Sequence, residues 1–259
     1  MPSVSNIAVG AAMAGAAATK ARHSMNESIA RLSTGIRTMY GGDSAGQSIA
    51  NSIGSKGASF AVAARNAEDG ISFLQSAESV LLELAALTTR MRELGLQHGN
   101  LNLLTTADNT AITAEAAAIS AAFDAITTNT KFNGIVVTGD ADIALAIDDS
   151  GNTVTVGSTA ALTSLAVTGT TAVATADVTQ SEIATALGNV AAGMSALKGY
   201  QSVAQATAAN LNAAAARIQD TDYAMETANL TKATILNQAA MAMVSQANDA
   251  QAAVLAVIQ

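Results

Sequence analysis

The sequence predicts a mainly α protein: long antiparallel helices and a terminal coiled coil, with a small central β-hairpin region. The first observation is compositional. Of 259 residues 61 are alanine, half are hydrophobic, only 3% are aromatic and none is tryptophan. Aromatic side chains bury about 150–250 Å² each and normally dominate a compact core. With so few, apolar surface is best buried by close approach of alanine-rich helices, because alanine has the highest helix propensity. The second observation is that the one proline, Pro2, breaks no helical pattern. The third is the spacing of apolar residues, which steps by three and four along both ends of the chain.

Each element follows from local signals. Val4, Ile7, Ala11, Ala14, Ala18, Ala21, Met25, Ser28 and Leu32 keep a heptad rhythm and predict a first helix with one continuous seam. Gly41 and Gly42 then break the chain, and Asp43 is a good N-cap for a second helix over about 44–98. Ile49, Ile53, Phe60, Ala64, Ala67, Ile71, Leu74, Val80, Leu81, Leu84 and Leu87 mark its apolar side. An interruption is expected near Gly70 and an end at Gly95, Gly99 and Asn100. Asp108 is read as the cap of a third helix, with Ile112, Ile119, Phe123 and Ile126 on one side. Ile143, Leu145 and Ile147, the turn Asp149-Ser150-Gly151-Asn152, then Val154 and Val156 alternate as a β-hairpin does. From 150 to 179 Ser and Thr recur, and this stretch is expected to face solvent. Thr179 and Glu182 have the spacing of a capping box, after which the pattern stays helical.

At the far end Leu236, Ala240, Met243, Ala247, Ala250, Val254 and Val257 form a second seam. The chain therefore folds back at about 134–179 and its ends lie side by side. Residues 1–40 with 220–259 form terminal helices, 41–133 with 180–219 a helical rod, and 134–179 a short solvent-facing segment. A buried methylene contributes only about 0.8 kcal/mol, against an ordering cost of about 1–2 kcal/mol per residue. Alanine seams are thus expected to need many neighbours before they order, which makes Val4, Ile7, Ala11, Ala14, Ala18, Leu236, Ala240, Met243, Ala247 and Val254 candidates for packing between subunits.

Charge and motifs exclude most chemistry. Twelve Lys and Arg against twenty Asp and Glu give a net charge of −8, with no basic run to neutralise phosphates, so no nucleic-acid partner is expected. The absence of cysteine removes disulfides, thiolate metal sites and cysteine nucleophiles. His23 and His98 stand apart and neither belongs to an H-E-x-x-H helix. The stretch Gly41 to Gly46 lacks the order of a phosphate loop, Asp148–Asp149 and Asp220–Asp222 lack the alternating oxygens of a calcium loop, and no G-x-S-x-G occurs. No enzyme activity, metal or cofactor is expected. Residues 1–19 are uncharged, but Lys20 and Arg22 follow the apolar run where a secretory leader would have them precede it. Asn237, Gln238, Ser245, Gln246 and Asn248 interrupt 233–248 too often for a span of about 20 apolar residues, so no membrane partner is expected. Scarce charges cluster at Arg65, Asn66 and Asp69, at Arg90, Arg92 and Glu93, and at Arg217, Asp220 and Asp222, which suggests polar contacts that set register between subunits.

A longer pattern runs through both ends. It comprises Leu32-Ser33-Thr34-Gly35 with Arg37, Asp43, Ala45-Gly46, Ile49-Ala50, Arg65-Asn66-Ala67, Asp69-Gly70-Ile71-Ser72, Gln75 and Ala77-Glu78. Arg90, Arg92-Glu93-Leu94, Gln97, Thr130 and Phe132-Asn133-Gly134 continue it. It resumes at Asn210-Leu211, Arg217-Ile218, Asp220, Asp222, Ala224, Glu226, Ile235-Leu236, Gln238-Ala239, Gln246-Ala247-Asn248 and Val254-Leu255. This ordered set closely resembles bacterial flagellin, in a short form lacking large outer domains.

The resemblance implies that the terminal helices form an inner tube, that the rod surrounds it, and that the subunit self-assembles into an extracellular flagellar filament for swimming motility. It also implies export through the flagellar type III apparatus with a chaperone, and hook-associated and cap proteins as partners. The alternative within the same resemblance is a hook-filament junction protein. Thr153, Ser158 and Thr163 are candidate O-glycosylation positions on the solvent-facing segment.

Overall fold

The computed structural model describes residues 2–39, 41–100, 103–138, 143–157, 162–167 and 169–258, except the side chains of 2–8, 169, 170, 254, 255, 257 and 258. The mainly α expectation holds. The described helices are α1 (Pro2–Thr34), α2 (Ser44–His98), α3 (Thr106–Asn129), α4 (Gly169–Gln219) and α5 (Tyr223–Ile258). Two short antiparallel pairs complete it: β1 (Lys131–Phe132) with β2 (Ile135–Val136), and β3 (Ile143–Ala146) with β4 (Thr153–Val156). The chain divides into two compact units, Met1–Gly54 with Asn212–Gln259, and Ser55–Leu211.

The 55–211 unit holds the larger core. Ala67, Leu74, Ala77, Leu81, Leu84 and Met91 of α2 meet Ala172, Ala176, Ile183, Ala186, Val190 and Leu197 of α4 in one buried cluster with Phe123 of α3 and Val156 of β4. Both helices supply these residues at steps of mainly three and four, the spacing that keeps one face turned to a neighbour. By length and composition α2 could cross a membrane, but this core occupies its apolar side. Gly70 does not interrupt α2. A Cβ there would lie 2.3 Å from Leu145 Cδ1 and 2.9 Å from Leu197 Cδ1, so the missing side chain lets the hairpin and α4 approach. The β3–β4 hairpin forms as expected, pairing Ile143 with Val156 and Ala146 with Thr153. In its loop the Asp148 carboxylate accepts from Asn152 and from the Ser150 and Asn152 N–H groups, which hold it below the usual carboxylate range. The β1–β2 turn was not anticipated. Asn133 and Gly134 adopt φ of 50° and 84°, the paired positive angles of a two-residue hairpin turn, which Asn-Gly favours.

Two helix starts differ from expectation. The cap of α3 is Thr105, not Asp108; Asp108 stands three residues on and closes a capping box, its carboxylate accepting from the Thr105 hydroxyl at 2.7 Å and N–H at 2.9 Å. The second is Thr179–Glu182, which caps nothing because α4 begins at Gly169, inside the stretch read as solvent-facing. Glu182 instead accepts from the N–H and hydroxyl of Thr163, each at 2.7 Å, and Thr179 is buried with its hydroxyl toward the Thr163 and Thr175 carbonyls.

The Thr105 hydroxyl, and secondarily its N–H, hold the Asp108 carboxyl below the ordinary value of 3.8. A carboxyl lowered on folding stabilises the fold above its unfolded value and loses that contribution as pH falls through the folded one. Thr105→Ala is expected to cost about 1 kcal/mol at neutral pH. The deficit should shrink under acid below that range, which thermal unfolding of both chains at two pH values checks.

Candidate functional site

The site is built by α1 and α5 within the 1–54 and 212–259 unit. Their order is antiparallel. Arg31 Nη1 lies 3.8 Å from Glu226 Oε1, Thr234 Oγ1 lies 3.8 Å from Met25 Sδ, and Arg22 Nη2 lies 4.0 Å from Met241 Sδ. At the near end the loop after α1 and the segment before α5 are tied as strands are: Arg37 N donates to Gln219 O and Thr221 N to Gly35 O, both at 2.8 Å. Arg37 also donates to Ile218 O at 2.8 Å and to Asp43 at 3.3 Å. Asp43 in turn accepts from Gly46 N and so caps α2 as expected.

The α1 seam is the one its spacing predicted. Ala18, Ala21 and Ser28 are buried, and Ala11, Ala14, Met25 and Leu32 are half-buried. On α5 the least exposed row is Glu226, Leu230, Ala233, Asn237, Ala240, Val244, Ala247 and Gln251, again in steps of four and three. Ala240 and Ala247 belong to it. Leu236 and Met243 do not; they stand beside it, 51% and 65% exposed, and Met13 of α1 is 70% exposed. These three large apolar side chains rim an open groove of about 820 Å³ along the helix pair. Gly10, Ala14, Ala17 and Ala21 form part of its floor, and Lys20, Glu27 and Lys232 with the Arg31–Glu226 pair line the polar part. The side chains of Val4, Ile7 and Val254, and Ser158 entirely, lie outside the described residues.

Several of the predicted polar contacts have partners within the chain. Arg90 donates to Glu115 at 2.7 Å and to Glu93 at 3.0 Å, which together raise its pKa. Arg92 meets Asp177 at 2.7 Å, and Asn66 donates to Ala146 O at 3.1 Å. Asp222 caps α5 by accepting from Ala224 and Met225 N–H. Asp220 lies in the bridge to Ile36. Among the described residues Arg65, Asp69 and Arg217 are exposed with no side-chain hydrogen bond or ion pair. Of the candidate glycosylation positions Thr153 is exposed, and Thr163 is exposed but engaged with Glu182. Among the described residues no group of three potential ligands could hold a metal ion.

Residues 5–137 match the family described as the bacterial flagellin N-terminal helical region, and residues 168–258 match the bacterial flagellin C-terminal helical region. The chain belongs to the bacterial flagellin family. This flagellin is 31% identical to the flagellin of Halalkalibacterium halodurans over 88% of its own length and 90% of the relative's. It is 30% identical to the flagellar filament 33 kDa core protein of Treponema phagedenis over 91% and 93%. To the flagellin of Bacillus subtilis it is 30% identical over 84% and 87%.

Sequence reasoning missed two polar residues of this flagellin's helix pair. Glu226 is buried, and Asn237 has a buried Oδ1 without a partner. A four-three count from Glu226 finds Asn237, but in an alanine-rich helix the adjacent row through Leu236 and Met243 reads equally well.

Proposed function

We propose that the groove rimmed by Met13, Leu236 and Met243 is the surface through which this structural filament protein packs against copies of itself as the filament's inner tube. The observation that carries it is the groove: large apolar side chains stay exposed along a helix pair whose own seam is mostly alanine. Exposed apolar patches of this kind mark interaction sites. Charge supports the same reading. The unit that holds the groove has six Lys and Arg and six Asp and Glu, while 55–211 has six and fourteen, so the whole net charge of −8 sits in the other unit. Copies brought together through α1 and α5 therefore meet without net repulsion.

The three-part division follows as a functional one, with 1–40 and 220–259 as inner tube and 41–133 and 180–219 as rod; of 134–179, the exposed loop 149–153 faces solvent, while Val156, Leu165, Ala172, Ala176 and Thr179 are buried within the 55–211 unit. Arg65, Asp69 and Arg217, exposed and unpaired among the described residues, are the polar groups left to meet a neighbouring rod. The filament is extracellular and serves swimming. Its subunits leave by the flagellar type III apparatus with a chaperone and meet hook-associated and cap proteins at the filament's ends. It performs no catalysis and needs no cofactor. The relatives' names, flagellin and flagellar filament core protein, favour a filament subunit over a junction protein.

Electron microscopy of purified subunits is expected to show long filaments. Hydrogen exchange is expected to find residues 1–35 and 225–259 unprotected in the free subunit and protected in the filament, because helices this poor in large side chains gain most of their burial from neighbours. Short rings in place of filaments, or terminal amides that exchange fast within filaments, would contradict the proposal.

A further inference from the structure

Asn237 occupies a seam position of α5, between Ala233 and Ala240, both buried. The register that sets Thr234 on Met25 and Met241 near Arg22 places it opposite residues 22–25. Its Oδ1 is buried and accepts no hydrogen bond. A buried acceptor without a donor loses its water and gains nothing in return. A polar residue at a coiled-coil seam lowers stability while it fixes register, and asparagine is also a poorer helix former than alanine. The surrounding seam offers little to offset this, since Ala18, Ala21, Ala233 and Ala240 present single methyl groups.

We propose that Asn237 is a brake on closure of the α1–α5 pair. Its buried, unpartnered Oδ1 makes the closed pair unfavourable in the isolated subunit, and burial of the Met13, Leu236 and Met243 rim by further copies supplies what the seam lacks. The pair then closes on assembly and not before. This rests on the assembly reading of the groove, and it adds a residue that sets the threshold.

The test compares Asn237→Ala with Asn248→Ala in full-length subunits. Both sit in α5 and gain the same helix propensity, but Asn248 is exposed, so only the first removes the buried acceptor. By hydrogen exchange in dilute monomer, N237A is expected to raise protection of α1 and α5 amides about tenfold more than N248A does, the ratio that relieving an unsatisfied acceptor implies. N237L, which also fills the seam, should move protection the same way and guards against a defect peculiar to alanine. Equal protection in N237A and N248A would overturn the brake. Electron microscopy of the unsubstituted subunit tests the assembly reading separately: filaments without an N237A effect would remove this proposal and leave that reading standing.

Discussion

Subunits carrying Ala14→Phe or Ala247→Phe are expected to remain unassembled where the natural chain forms filaments, while their 55–211 unit unfolds at an unchanged temperature. Both residues lie half-buried on the α1 and α5 seams, and the antiparallel register carries them to about the same level of the pair. A methyl group at each sets how closely the two backbones approach. A phenyl ring forces off-rotamer side chains or pushes the helices apart, at about 1–3 kcal/mol for overpacking. At about 1.4 kcal/mol per tenfold, the concentration needed for assembly rises roughly 5- to 150-fold. Ala14 also lines the groove floor, so a ring there obstructs the approaching copy as well. Sedimentation and electron microscopy across a concentration series read this directly. Ala247→Ser fits the same space and should assemble at close to the natural concentration. The 55–211 unit has its own core, and distant sites act independently, so its melting temperature separates an assembly defect from a folding defect. Filaments from both phenylalanine variants at the natural concentration would mean that the seam does not set the spacing.

What the sequence disclosed, and what it hid, divides along physical lines. Signals carried by one stretch of chain were legible. The Gly41-Gly42-Asp43 break and cap, the α1 seam and the β3–β4 alternation all appear where their residues place them. Signals that need a distant partner were not. Thr179 and Glu182 have cap spacing, yet Glu182 is held by Thr163 from outside the helix, and nothing local distinguishes that use of a carboxylate from a cap. Gly70 looked like a break because glycine lowers helix propensity by about 1 kcal/mol relative to alanine. Its actual role, admitting Leu145 and Leu197, exists only once three elements meet. The α5 seam was ambiguous for a different reason: where most residues are alanine, the larger Leu236 and Met243 mark a face strongly, and here they mark the one left open rather than the one closed within the chain. Leu236 and Met243 of the groove were therefore foreshadowed, but Met13, and the separation of the groove from the internal seam, were not.

The same contrast between neighbouring rows of one helix yields the second large effect, in the 55–211 unit. Leu84 is fully buried among α2, α3 and α4, whereas Leu82, two residues away on α2, is 57% exposed. Leu84→Ala is expected to cost about 2–5 kcal/mol, since it removes buried methyl groups and leaves a cavity that rigid helices cannot fill. For a unit of this size each kcal/mol lowers the melting temperature by about 2–4 °C, so a fall of roughly 4–20 °C should appear by calorimetry. Leu82→Ala, the same chemical change on the outer row, should stay within about 0.5 kcal/mol of the natural chain. Aromatic residues contribute little here, and Phe123 is the largest of the fully buried side chains; the core thus depends on a short series of leucines, and each weighs more than it would in an aromatic-rich domain. If L84A and L82A melt together, the α2 row facing α4 is not what holds the unit. If only L84A falls, L84A subunits kept below their own melting temperature should still grow filaments, because the stiffness of the rod and the closure of the terminal pair draw on separate cores.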